Sequence, residues 1–134
     1  MKIRRIRASE IDAAHRLLLE NGFGRHVADP ALFRQLVSRS QRALVAVEDG
    51  AVLGFARAIC DDMANGYISM VVVAKDHRRK GVGTALVHAV MGEDRRISWV
   101  LRAGRPDVVP FYEKLGFVQS TVAMERPRAK ISDA

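Results

Sequence analysis

The stretch Arg78-Arg79-Lys80-Gly81-Val82-Gly83-Thr84 holds the densest chemistry in this chain of 134 residues. Cations stand directly before a pair of glycines that are separated by one residue. An apolar run, Met70-Val71-Val72-Val73-Ala74, precedes them. A helical pattern follows, with Val82, Ala85, Leu86, Ala89 and Val90 on one face. A helix N-terminus leaves backbone N–H groups unpaired and carries partial positive charge, so it attracts anions. Gly81 and Gly83 remove the side chains that would hold phosphate oxygens off the backbone. Arg78, Arg79 and Lys80 add mobile positive charge. Taken together these parts describe a diphosphate cradle. Taken alone, the glycine pair is weak evidence, and a softened helix start beside solvated cations is the alternative.

Two familiar phosphate loops do not match. A dinucleotide fingerprint needs a third small residue where Leu86 stands, and a Walker loop needs a Gly-Lys-Ser/Thr string that this sequence lacks. Other chemistries are also poorly supplied. His15, His26, His77 and His88 are scattered without metal-ligand spacing, and Cys60 is the only cysteine, so no metal site is expected. No Gly-x-Ser-x-Gly nucleophile turn occurs. Cys60 at a strand end and Trp99 read as packing residues.

The elements around the loop follow from spacing. Lys2–Arg7 reads as a strand. Ser9 reads as the N-cap of a helix through Ile11, Ala14, His15, Leu18 and Leu19, which Asn21-Gly22 ends. A glycine-bearing loop, Gly22–Asp29, leads to Pro30 at the first turn of a second helix with Leu32, Phe33, Leu36 and Val37. Ala43–Glu48 and Ala51–Cys60 flank Asp49-Gly50, a strong hairpin signal. After a turn at Asp61–Gly66, Tyr67–Ala74 reads as a strand covered on both faces. The helix after Gly81 and a strand, Ile97–Leu101, complete a crossover expected to be right-handed. Asp107 reads as the cap of a short helix, Val108–Leu115, with Pro110 in its first turn and Gly116 at its end. Phe117–Met124 reads as a last strand. The order β-α-α-β-β-β-α-β-α-β gives an α+β fold, with a mixed, mainly antiparallel sheet flanked by helices. One domain is expected over residues 1–125, with a polar tail over 126–134.

With these elements in place, the chain resembles the GNAT superfamily of N-acetyltransferases. Arg78, Gly81 and Gly83 match the family's Arg/Gln-x-x-Gly-x-Gly/Ala motif, and Val71-Val72-Val73 fits the strand before it. The stretch Phe111-Tyr112-Glu113-Lys114-Leu115-Gly116-Phe117 is close to the family's later motif. The resemblance implies that acetyl-coenzyme A is the acetyl donor. It implies that backbone groups of Val71, Val72 and Val73 hold the pantetheine arm, and that Arg79–Thr84 holds the pyrophosphate. The thioester would then sit in a gap between Tyr67–Ala74 and Ile97–Arg102. It also implies that Tyr112 lies near the coenzyme sulfur and that a backbone N–H near Val71 serves as oxyanion donor. One position departs from the family pattern: Arg105 stands where many members have Asn, so a phosphate contact would replace the usual contact to pantetheine.

Acetyl transfer to an amine needs a neutral amine, although an ammonium of lysine type has a pKa of about 10.4. It also needs a donor to the thioester oxygen, aligned reactants and a proton for the departing thiolate. A phenol such as Tyr112 matches the basicity of a thiolate. No general base is visible. The strand Tyr67-Ile68-Ser69-Met70-Val71 carries no acid, and Asp61 and Asp62 read as turn formers. The acceptor is expected to be a small-molecule or peptide amine, selected by Gly22–Pro30, the second helix and Asp61–Gly66, with Phe23, Phe33 and Met63 as candidate pocket residues, although core packing explains Phe33 equally well. A non-catalytic acyl-coenzyme A-binding module on the same fold is the alternative.

The net charge of +7 suits phosphates, nucleic acid or acidic surfaces. A nucleic-acid-binding role is disfavoured because the aromatic stacking groups and recognition motifs it needs are lacking. A single cysteine suits a reducing cytoplasm. No apolar run reaches the roughly 18 residues of a membrane span, and the basic start is not followed by a signal-like apolar stretch. The sequence leaves a homodimer open.

Overall fold

The structure is a computed structural model, and it describes residues 1–129. The last part of the expected polar tail, residues 130–134, lies outside the described residues. The chain forms two compact units, Met1–Arg102 and a second that begins at Ala103.

The first unit is built on one five-stranded sheet in sequence order: β1 (Lys2–Arg5), β2 (Arg42–Glu48), β3 (Ala51–Cys60), β4 (Asn65–Val73) and β5 (Ser98–Leu101). β1 to β4 pair antiparallel, and β4 and β5 pair parallel. This is the mixed, mainly antiparallel α+β architecture expected from the sequence. The hairpin between β2 and β3 turns on Asp49 and Gly50, with φ of 50° and 78°. Two successive left-handed residues match the twist of the flanking strands.

Helices α1 (Ile11–Glu20) and α3 (Pro30–Ser38) cover one face of the sheet, with the short α2 (Gly24–Val27) between them. Sequence alone suggests an open loop at α2. Ser9 does not cap α1: a 3-10 turn, Ala8–Glu10, precedes it, and the Glu10 carboxylate accepts from the Arg7 N–H at 2.8 Å. Asp29 caps α3 by accepting from the Ala31 N–H at 2.9 Å. Leu18, Phe33, Val37, Val45, Phe55, Met70 and Val72 form the core on this face. His15 stacks on Phe33 with ring centroids 5.2 Å apart, and its Nε2 meets the Val27 carbonyl.

Helix α4 (Val82–Met91) packs on the other face against β2, β3 and β4. Gly54 makes this close approach workable: a Cβ there would lie 2.8 Å from Leu86 Cδ1 and 3.0 Å from the Val72 carbonyl oxygen. β4 alternates buried and half-buried residues along its length, so it is less covered than its apolar run suggests.

The second unit holds a 3-10 turn, Pro106–Val108, and α5 (Val109–Lys114). Asp107 sits within the turn and makes no cap hydrogen bond. Gly116 has φ 94° and donates to the Glu113 carbonyl at 3.0 Å, while the Phe117 N–H donates to Tyr112 at 3.1 Å. That pair of bonds is a Schellman end, with the Phe117 ring on Tyr112 as its hydrophobic contact. Phe117–Met124 is not a strand, contrary to expectation. A strand needs a neighbour for its backbone groups. Among the described residues none pairs with this segment, and Val118, Val122 and Met124 are exposed.

Gly66 pairs with Trp99 across β4 and β5, and a Cβ on Gly66 would lie 2.3 Å from the indole. Gly66→Ala is therefore expected to lower stability by about 1–3 kcal/mol in urea denaturation, as overpacking does. The loss should shrink when Trp99 is replaced by Leu. An unchanged midpoint would show that the ring does not lie flat on this backbone.

Candidate functional site

The sheet opens at β4. Its register with β5 runs from Asn65↔Ser98 to Ile68↔Leu101 and then stops. Its register with β3 continues to Val73 but skips Ser69, which bulges between Ile68 and Met70. A bulge bends its strand and increases local twist. Here it turns β4 away from β5, and the edge from Ser69 to Val73 has no strand partner among the described residues. The parting lies between the two segments that the sequence expectation named.

The Ala74 N–H donates to the Leu53 carbonyl at 2.7 Å, so Ala74 faces β3. Backbone groups alternate along a strand. Val72 therefore also turns its N–H and C=O to β3, whereas Val71 and Val73 turn theirs to the open edge. An extended, amide-bearing chain could bond to Val71 and to the Val73 N–H, since the Val73 carbonyl already accepts from Arg78. Val72 contributes a core side chain instead.

A 3-10 turn, Lys75–His77, carries the chain from β4 to the basic loop. Arg79 and Gly81 are both left-handed, with φ of 63° and 83°. Gly81 is the N-cap of α4 and makes no side-chain cap hydrogen bond. The first helical bond runs from the Ala85 N–H to the Gly81 carbonyl at 3.0 Å, which leaves the amides of Val82, Gly83 and Thr84 as the uncapped first turn. A left-handed residue before a helical turn gathers such amides into an anion-binding concavity. The residues present thus fit a diphosphate. Arg79, Lys80 and Gly81 are exposed around this turn. Arg78 is held instead: its guanidinium donates to the Val73 carbonyl at 3.3 Å and to the Asn21 side chain. It ties β4 to the end of α1 more than it offers free charge. His77 Nδ1, beside the loop, is buried without a hydrogen-bond partner.

Tyr112 belongs to the second unit. Its ring packs edge-on against Phe111 and Phe117, with centroids 4.9 and 5.7 Å away. Burial pushes its hydroxyl above the ordinary phenol range, so it stays protonated where a free phenol begins to ionise. Arg105 Nε lies 3.6 Å from Asp107 Oδ1, an exposed pair of little energetic weight.

The acids of the turn before β4, at the paired end of the sheet, are structural. Asp61 accepts from the N–H groups of Met63, Ala64 and Asn65 at 2.8–3.0 Å, which hold its pKa below the usual range. Asp62 pairs with Arg42 at 2.9 Å. Among the described residues no group of His, Cys, Asp and Glu could hold a metal ion, and no helix is long and apolar enough to cross a membrane. Sequence reasoning missed Arg57. It is the one charged residue within β3, and a cation in an otherwise apolar strand is a readable signal.

Known proteins share this fold. A structure from Xanthomonas campestris pv. campestris, described as belonging to the GNAT family, is 25% identical, with a TM-score of 0.78 over 95% of this chain and 92% of that one. The ribosomal-protein-alanine N-acetyltransferase of Brucella melitensis biovar Abortus 2308 shares the fold, with a TM-score of 0.74 at 24% identity over 96% and 99% of the two chains. The uncharacterized N-acetyltransferase ycf52 of Pyropia yezoensis is 39% identical over 70 residues, which is 51% of this chain and 40% of that protein. Its counterpart in Porphyra purpurea is 37% identical over the same shares. The match thus spans well under half the length of these curated relatives. The family model for the acetyltransferase (GNAT) domain matches residues 39–119, from the end of α3 past the end of α5, and the chain belongs to the GNAT acetyltransferase family.

Proposed function

We propose that the protein is an acetyl-coenzyme A-dependent N-acetyltransferase that moves an acetyl group to a primary amine by direct attack on the thioester. The observation that carries this reading is the open edge of β4 running into the uncapped first turn of α4. The edge suits the amides of pantetheine, and the turn suits the pyrophosphate. Membership of an acetyltransferase family supports the donor and the reaction type.

In the proposed step the neutral amine nitrogen attacks the acetyl carbonyl carbon, forming the N–C bond. A backbone N–H on the open edge, that of Val71, donates to the oxygen as it gains charge. The C–S bond then breaks, and Tyr112 gives its hydroxyl proton to the departing sulfur. The extra proton of the amine passes to solvent and later restores the phenol. The products are an N-acetylated amine and free coenzyme A. No metal takes part. An acyl-coenzyme A-binding module without turnover would use the same edge and loop. Release of free coenzyme A that depends on added amine, corrected for hydrolysis, separates the two.

Gly83→Glu is expected to abolish binding of acetyl-coenzyme A in calorimetry. A carboxylate in the first turn suits the helix dipole, so folding should be kept, but it fills the phosphate position. Unchanged affinity would overturn the loop assignment. Tyr112→Phe is expected to lower kcat by about a hundredfold, the low end of the range for general acid catalysis, with coenzyme affinity unchanged. Because burial raises the Tyr112 pKa, the wild-type activity that depends on this proton should persist above pH 10 and fall only at higher pH. An equal kcat in Tyr112→Phe would remove the residue from the mechanism.

A further inference from the structure

Arg57 on β3 is buried, at 7% exposure, yet among the described residues it has no carboxylate partner. Its Nε donates to Ser40 Oγ at 2.7 Å and its Nη1 to Ser69 Oγ at 2.8 Å. Both partners are neutral. Burial pulls the guanidinium pKa down, and only Tyr67 acts against this. A buried charge without a counter-ion is costly, and a well-packed apolar side chain would usually serve stability better. The rest of the guanidinium is not sealed in. Among the described residues Nη2 has no partner, and it is not one of the enclosed polar atoms left without one, so it faces solvent.

The surroundings of that open end have a definite chemistry. Side chains alternate along β3, so Arg57 shares a face with Phe55 and Ile59. Phe55 lies in the core against Phe33. Ile59 pairs with Tyr67, and Tyr67 pairs with Val100, so these three stand on the same face beyond Arg57. Helical cover stops there: Ile59 is 46% and Val100 49% exposed, while Tyr67 is half-buried. The Arg102 guanidinium lies 5.9 Å from the Tyr67 ring centroid. An apolar floor thus adjoins a buried cation, and Ser69, the bulge where β4 leaves β5, holds that cation in place.

We propose that Arg57 determines acceptor specificity. Its outer N–H groups take a carboxylate of the acceptor, and Ile59, Tyr67 and Val100 carry the acceptor's apolar part. The amine acetylated then belongs to an amino acid or peptide with an apolar side chain. A guanidinium edge pairs with a planar carboxylate through parallel N–H groups, and the two serine hydroxyls fix its orientation in advance. This inference rests on the acetyltransferase reading above and names the substrate class of that site.

The test uses pairs of amines that differ only in the carboxylate: leucine against isoamylamine, and phenylalanine against phenethylamine. The wild-type protein should acetylate the amino acids with the higher kcat/KM. Arg57→Met should lower kcat/KM for the amino acids roughly ten- to a hundredfold, mainly through KM, as expected for loss of a charge-assisted hydrogen bond. It should leave the decarboxylated amines and acetyl-coenzyme A affinity unchanged, and Arg57→Lys should recover part of the loss. No preference in the wild type, or an equal loss for both members of a pair in Arg57→Met, overturns the proposal. Should Arg57→Met fail to fold, the wild type still decides. The Arg57 Nε–H resonance should shift on titration with N-acetylleucine and stay still with N-acetylisoamylamine. A resonance unmoved by N-acetylleucine overturns the assignment. A wild type that does not bind acetyl-coenzyme A would strike the acetyltransferase reading, while the carboxylate-dependent shift judges Arg57 by itself.

Discussion

A break in the hydrogen-bond ladder between β4 and β5 is the feature on which the rest of the first unit depends. Backbone groups in a sheet demand partners, and an unpaired edge inside a sheet is unfavourable unless solvent or a ligand answers it. The break is kept open from both sides. β4 is locked to β3 up to Val73, with Val72 and Met70 in the core beside Phe55 and Phe33. The paired half is clamped by Trp99 lying over Gly66, with the Arg42 guanidinium 5.2 Å from the indole centroid. Between a strand that cannot move toward β5 and a β5 that is fixed at its other end, the bulge at Ser69 leaves an edge shaped for an extended chain.

Helix α4 extends this logic to charge. At its C-terminal end Arg42 donates to the carbonyls of Val90 and Met91 at 2.7 and 2.9 Å, so the negative end of the helix is answered by a cation of the protein. At its N-terminal end no side chain caps the first turn, and Gly81 supplies the left-handed bend at no steric cost. The asymmetry leaves the positive end for an anion from outside. Arg42 also joins α4 to the Asp62 turn and to Trp99, so the end of the helix away from the loop is tied to the half of the sheet that stays closed.

These arrangements were legible in the sequence to different degrees. The loop could be read because glycine spacing and adjacent cations have a local meaning: they act through the backbone of the residues that carry them. The hairpin at Asp49-Gly50 and the helix end at Gly116 were readable for the same reason. Ser9 and Asp107 show the limit of such reading, because a suitable residue type does not ensure the cap when a 3-10 turn precedes the helix. The bulge at Ser69 was hidden. It shifts the phase of alternation just before Met70-Val71-Val72-Val73-Ala74, and a continuously apolar run shows no phase. The held position of Arg78 was hidden too, since its partner Asn21 lies far away in sequence. Phe117–Met124 has the composition of a strand, but pairing is a property of neighbours rather than of a segment.

The missing general base can be approached from the same geometry. β4 offers Ser69 and no acid at the gap, and Asp61 is a weakened base because backbone N–H groups stabilise its ionised form. An amine reaching this face of the sheet meets Ile59, Tyr67 and Val100, with the guanidinium of Arg102 over the tyrosine ring. Apolar surroundings and a nearby cation both disfavour an ammonium, so both lower its pKa and raise the neutral fraction. If Arg57 holds the acceptor's own carboxylate, that carboxylate is already answered and does less to keep the adjacent nitrogen charged. The same positive face that would choose the acceptor would then also help to deprotonate it, with solvent as the proton's destination and no resident carboxylate required.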